Sequence, residues 1–217
     1  MSSAYAHRLD TESVLNHAMD CLHIEDVGND LIEPVRFEVS PGECVVISGA
    51  SGTGKSLLLR AIADLDLHSG HARLGSEACE AIPAQQWRKR VGLLAAESAW
   101  WAETVSEHIP EMDEHYLDAL GFKLEVGDWA VARLSTGEKQ RLALLRLLAN
   151  QPEFLLLDEP TANLDPDSVS RVEDLLLTYC RKKPAGLIWV SHDPGQIKRI
   201  ADRHFSLTQA GLVEVDQ

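Results

Sequence analysis

Four apolar runs punctuate the chain: Cys44–Ser48 (CVVIS), residues 91–96 (VGLLAA), residues 154–158 (FLLLD) and residues 186–191 (GLIWVS). None alternates with polar residues, which is the pattern of strands buried on both faces. Between the runs the period changes. Residues 55–65 (KSLLLRAIADL) and 167–183 (DSVSRVEDLLLTYCRKK) place apolar side chains at helical spacing, and a long helix is predicted from Ser135 to near Asn150. Strands alternating with helices predict an α/β fold with a mostly parallel sheet and right-handed crossovers. Residues 21–27 and 35–40 alternate instead, and read as strands of an antiparallel β edge. HARLG (71–75) reads as a short strand and PAQQWRKR (83–90) as a short helix. From Glu103 to Arg133 the pattern is helical with Gly and Asp breaks, which predicts a short helical lobe, about 100–150, inserted in the core. Residues 1–20 are polar and weakly patterned, an N-terminal extension before a single domain spanning 21–217.

Composition narrows the function classes. At 217 residues and 45% hydrophobic, the chain can bury one sizeable core. Lys and Arg number 20 against 34 Asp and Glu, a formal net charge of −14. Such a surface repels nucleic acid and anionic lipid headgroups. The basic clusters WRKR (87–90) and RKK (181–183) read as solvated helix ends. Cys21, Cys44, Cys79 and Cys180 form no CxxC and no metal-ligand spacing, so they read as reduced thiols of a cytosolic protein. No apolar run reaches the roughly 20 residues of a membrane helix, and MSSAYAHRLDTESV lacks the apolar core of a signal peptide. The expected place is the cytoplasm, with any membrane role exercised through a partner.

The chemistry lies in three stretches. GASGTGKS (49–56) follows the first buried strand and opens a helix, fitting G-x-x-x-x-G-K-[ST]. Its glycines let the backbone turn so that successive amides point inward at phosphate oxygens, those of 52–56 holding phosphate within an ATP-binding stretch of Gly49, Ala50, Ser51, Gly52, Thr53, Gly54, Lys55, Ser56 and Leu57. The helix adds its positive end, Lys55 can reach the β- and γ-phosphates, and the Ser56 hydroxyl can ligate Mg²⁺. FLLLDEP (154–160) ends a buried strand in two carboxylates: Asp158 suits Mg²⁺, and Glu159 suits polarising an attacking water. In LSTGE (134–138), Ser135 is a good N-cap and Gly137 leaves amides exposed at a helix start, a second anion site.

The stretch LSTGEKQRLALLRLLANQPEFLLLDEPTANLD (134–165) resembles the signature helix, Walker B strand and D-loop of ATP-binding cassette (ABC) transporter ATPases. SHD (191–193) resembles the family's switch histidine, His192. Together with the P-loop these motifs stand in the family's order over roughly residues 21–215. The stretches WRKRVGLL…ETVSEHI and LIWVSHD look most like small bacterial stand-alone subunits of the iron-export kind, which pair with a separate permease. The resemblance implies a P-loop NTPase core with an ABC-specific helical subdomain, and ATP and Mg²⁺ as ligands. It implies Glu159 and His192 as catalytic groups. It also implies a homodimer formed on ATP binding, in which Ser135, Thr136, Gly137 and Glu138 of one copy close the site of the other and Asp165 of the D-loop lies at the interface. The partner would be an integral-membrane permease, with the subunit peripheral on the inner face of the membrane and no nucleic acid involved.

Departures from the family pattern bear on coupling. The family's signature is LSGGQ; here Thr136 replaces a glycine and Glu138 a glutamine. Where the family places a metal-touching glutamine after the strand VGLLAA, this chain has Ala96, with Glu97 next to it. Either Glu97 substitutes or the relay from site to lobe is weakened. The segment HIEDVGNDLIEP (23–34) holds no aromatic residue on which adenine could stack, implying modest affinity and poor base selectivity. Trp100 and Trp101 are adjacent and point in different directions on any regular element; lobe packing and a protein-contact anchor both fit them. Two further readings stay open: a regulatory cassette with little turnover, and a soluble cassette without a transport role.

Overall fold

The computed structural model describes residues 20–183 and 185–216. The N-terminal extension expected from the sequence thus lies outside the described residues, apart from Asp20. In chain order come β1 (Leu22–Asn29), β2 (Ile32–Val39), β3 (Cys44–Ser48), α1 (Lys55–Ile62), β4 (Ser69–Leu74) and β5 (Glu77–Ala78). Then follow α2 (Ala84–Arg90), β6 (Val91–Leu94), α3 (Val105–His108), α4 (Glu114–Ala119) and α5 (Thr136–Leu148). The chain closes with β7 (Phe154–Asp158), α6 (Pro166–Lys182), β8 (Gly186–Val190), α7 (Pro194–Ile200), β9 (Arg203–Thr208) and β10 (Gly211–Glu214).

A six-stranded sheet in the order β10-β9-β3-β8-β7-β6 forms the centre, parallel throughout except for the β9–β10 hairpin. Its buried strands feed two cores through their alternating side chains. Val46, Leu155, Leu157, Leu187 and Trp189 face a cluster built with α5, α6 and the 105–134 segment. Val45, Ile47, Leu156, Ile188 and Val190 face the other cluster, with Leu58, Leu59 and Ile62 of α1. This is why those runs show no polar alternation.

The antiparallel strands are present, but they form a sheet of their own, β2-β1-β4-β5. Leu22, Ile24 and Val27 of β1 and Val35, Phe37 and Val39 of β2 bury one face in the cluster that holds α1. Covering that helix leaves their other face to solvent, hence the alternation. The 103–133 segment is less helical than its pattern predicts. α3 and α4 are short, 3-10 turns span Leu124–Asp128 and Val131–Arg133, and a bridge pairs Thr104 with Ala130. The Val105 amide donates to the Trp129 carbonyl (3.2 Å) and that of Val131 to the Glu103 carbonyl (2.8 Å), interactions invisible to a periodicity. Trp100 packs partly buried against the core while Trp101 is 73% exposed, so the adjacent pair splits between interior and surface.

Candidate functional site

The turn between β3 and α1 is shaped by contact. Gly49 and Gly54 sit at φ +147° and +96°. A Cβ on Gly49 would lie 2.4 Å from the Leu207 carbonyl oxygen, and one on Gly54 2.8 Å from the Ile32 side chain. Neither space nor conformation allows a side chain there. No side chain caps α1 and its first turn carries no acid, so its leading amides and positive end stay open to an anion.

Lys55 is 9% exposed, and its Nζ donates to the carbonyls of Gly49 (2.8 Å) and Ala50 (2.9 Å). An ammonium has three N–H donors, so one remains. The Thr53 hydroxyl donates to the Ala50 carbonyl at 3.0 Å, bracing the turn. A cavity of about 670 Å³ is lined by residues 49–52 and 54–57, with Glu159 and His192 on its wall. Of the predicted 49–57 set, only Thr53 is outside the lining. The volume falls within the range of small-molecule sites.

β7 and β8 pair in parallel, so their C-terminal ends open on the same side of the sheet, where α/β folds bind ligands. Asp158 ends β7 at 7% exposure, and among the described residues none donates a hydrogen bond to its carboxylate. Its carboxylate and the Ser56 hydroxyl are oxygen donors of the kind a hard divalent cation takes; Ser56 lines the cavity, while Asp158 lies outside its lining, next to Glu159. Glu159 leaves the strand at φ +48°, a left-handed conformation that non-glycine residues adopt seldom. Its Oε1 lies 3.6 Å from Nδ1 of His192, whose side chain is 74% exposed.

The other predicted residues lie elsewhere. Ser135 caps α5: its Oγ accepts from the Glu138 amide (3.2 Å), while Glu138 Oε2 accepts from the Ser135 amide and hydroxyl, each at 2.8 Å. Glu138 therefore completes a capping box, a job glutamine also does. Thr136 lies exposed between them, and Gly137 abuts Leu164 and Asn163 of the 161–165 turn, where a Cβ would meet atoms 3.2 and 3.4 Å away. Asp165 caps α6, accepting from the Ser168 hydroxyl (2.7 Å) and amide (3.0 Å), and these bonds hold its carboxyl below the usual carboxylate range. β6 ends at Leu94, two residues short of the predicted 96, because its pairing with β7 stops at Leu94–Leu157. Ala96 and Glu97 fall beyond it on an exposed bend and do not line the cavity.

One residue absent from the sequence reading holds the site's walls together. Gln196 on α7 is 3% exposed. Its Oε1 accepts from the Ser191 hydroxyl (2.7 Å), and its Nε2 donates to the Thr161 hydroxyl and to Glu173 on α6, each at 2.9 Å. It thus ties the residue before His192 to the turn after Glu159. Arg199 closes the network on Glu173 at 2.8 Å. The available signal was Asp193-Pro194, an N-cap followed by a helix-starting proline, which marks α7.

Comparison with known proteins gives the family. The family profile described as ABC transporter matches residues 32–162. The chain is 32% identical to ABC transporter I family member 17 of Arabidopsis thaliana, over 90% of this chain and 80% of that one. It is 31% identical to the phosphate import ATP-binding protein PstB of Aeropyrum pernix, over 85% and 83%. Among solved structures, a bacterial Atm1-family ABC exporter with ATP bound aligns with a TM-score of 0.76 at 24% identity, a likeness of fold that covers 90% of this chain and 38% of the exporter chain. No helix of the described residues is long and apolar enough to cross a membrane. With a P-loop, the carboxylate of Glu159 and a following histidine gathered on one cavity, and with these relatives, the chain belongs to the ABC transporter family.

Proposed function

We propose that the cavity lined by residues 49–52, 54–57, Glu159 and His192, with Asp158 at the adjoining end of β7, binds and hydrolyses ATP, and that the energy drives a separate membrane permease. As a member of this family the chain is the ATP-binding, ATP-hydrolysing subunit of an ABC transporter. The observation that carries the site assignment is Lys55, whose remaining N–H stands with the uncapped amides of α1 on the cavity that Glu159 and His192 also line. Ser56 and Asp158 are the residues that would hold Mg²⁺, whose charge would offset that of the phosphate oxygens. Glu159 orients a water and takes its proton, while His192 donates to the γ-phosphate. The capped start of α5 on a second copy, Ser135 to Glu138, closes each site, with Asp165 at the seam and two nucleotides per dimer.

Residues 21–217 form the ATPase domain in this reading, with the 100–150 segment as its helical subdomain. Trp101 stands at a surface cavity of about 340 Å³ between β6 and α5, a suitable seat for a permease segment. The subunit then works on the cytoplasmic face of the membrane. A low-turnover regulatory role is favoured by one observation, the exposed Ala96 outside the cavity. Steady-state hydrolysis with the Glu159→Gln variant as control decides. Turnover by the wild type, and its loss in the variant with ATP binding retained, supports the transport ATPase. A wild type that binds ATP without turnover, even with membranes, supports the regulatory role.

A further inference from the structure

Asp64, His68 and Cys79 take no part in the chemistry above. Asp64 and His68 lie on the turn between α1 and β4, and Cys79 opens the 3-10 turn after β5. Folding brings one donor atom of each to within 4.8 Å of the others. Cys79 is buried and the other two are half-buried, so the group meets solvent on one side. We propose that these three side chains form a binding site for Zn²⁺.

The donor set decides the ion class. Magnesium and calcium take oxygen ligands, whereas one thiolate, one imidazole and one carboxylate suit zinc and its neighbours. Three protein donors leave a fourth tetrahedral position for water. Donor atoms around zinc sit about 3.5 Å apart, so a trio now within 4.8 Å closes by roughly 1 Å on binding, within reach of side-chain rotation. His68 Nδ1 lies 3.1 Å from the Ser69 carbonyl oxygen; donating there fixes the tautomer whose Nε2 carries the lone pair a metal needs. Arg88 is the cation already present: its Nη2 is 3.6 Å from Asp64 Oδ2 and also donates to the Asp64 carbonyl. At 3.6 Å it is an ion pair longer than a hydrogen bond, so the carboxylate can turn to a metal while the bond to the carbonyl stays. On binding, the Cys79 proton passes to solvent, and thiolate and carboxylate together balance the dication. The donors come from two segments, which is why their spacing resembles no linear metal motif. Since α1 starts at Lys55, an ion here fastens the far end of the helix that faces the nucleotide cavity.

Cobalt titration of chelator-treated protein, without nucleotide, tests the site. Co²⁺ held by oxygen donors elsewhere gives no thiolate charge-transfer band in the near ultraviolet. The wild type should develop that band at one equivalent per chain, and Zn²⁺ should bleach it. Cys79→Ser should lose the band. Asp64→Asn and His68→Gln should weaken binding at least about tenfold, since losing even an outer partner of a metal ligand costs that much. Cys21→Ser, which removes a thiol elsewhere, should leave the band unchanged. Circular dichroism confirms folding, and if Cys79→Ser does not fold the other two variants decide. No band in the wild type, a band surviving in folded Cys79→Ser, or undiminished affinity in both Asp64→Asn and His68→Gln overturns the proposal.

Discussion

Glu159 and Asp158 are neighbours in sequence with different surroundings. Asp158 is buried at the end of β7, while Glu159 turns out of the strand at positive φ toward His192. In the function proposed, the turn would separate a cation-holding carboxylate from a proton-accepting one. Glu159→Gln should therefore keep nucleotide affinity within about threefold and lower kcat by about 10²–10⁴-fold, as measured by phosphate release. Asp165 yields a pH prediction. Its carboxyl is held below the ordinary value of 3.8 by the Ser168 hydroxyl and amide. A depressed carboxyl contributes stability above its unfolded value and loses it as pH falls through the folded one. Asparagine also caps helices. Urea unfolding of wild type and Asp165→Asn should thus show a stability difference that is steady near neutral pH and shifts in favour of the variant as the solution is acidified below about pH 4.

At the scale of elements, the P-loop and Walker B strand were legible because their causes are local: a buried strand, glycines at a turn, a helix start. The capping box of α5 was half legible, since Ser135 announced a cap while the role of Glu138 emerged from geometry. β9 escaped notice although Phe205 and Leu207 alternate with polar neighbours and bury. Gln196 was beyond reach, because its partners lie on α6 and on two turns far apart in sequence. Gln196→Leu leaves buried Glu173 and Ser191 short of partners, and should cost about 2 kcal/mol in urea unfolding. It should also lower kcat more than nucleotide affinity, because it loosens the turns bearing Glu159 and His192. The β1–β2 hairpin offers aliphatic Leu31, 75% exposed, and no aromatic ring near the P-loop. Titration with ATP and with GTP should give dissociation constants within about threefold; a discrimination of 1.4 kcal/mol or more, about tenfold, speaks against that reading.

For the whole molecule, the run pattern conveyed a central parallel sheet buried on both faces. It did not convey that the antiparallel strands form a second sheet over α1, nor that the 103–133 segment is held by bridges and 3-10 turns. Those features depend on which surfaces meet, a matter of long-range contact rather than periodicity. The account as a whole rests on a triphosphate held by the turn between β3 and α1. Calorimetric titration of MgATP into wild type and Lys55→Ala measures this directly. The account predicts one nucleotide per chain for the wild type, and an affinity at least about tenfold weaker in the folded variant, the worth of one lost charge-assisted hydrogen bond. Absence of binding heat in the intact wild type across temperatures, or equal affinity in the variant, would contradict it.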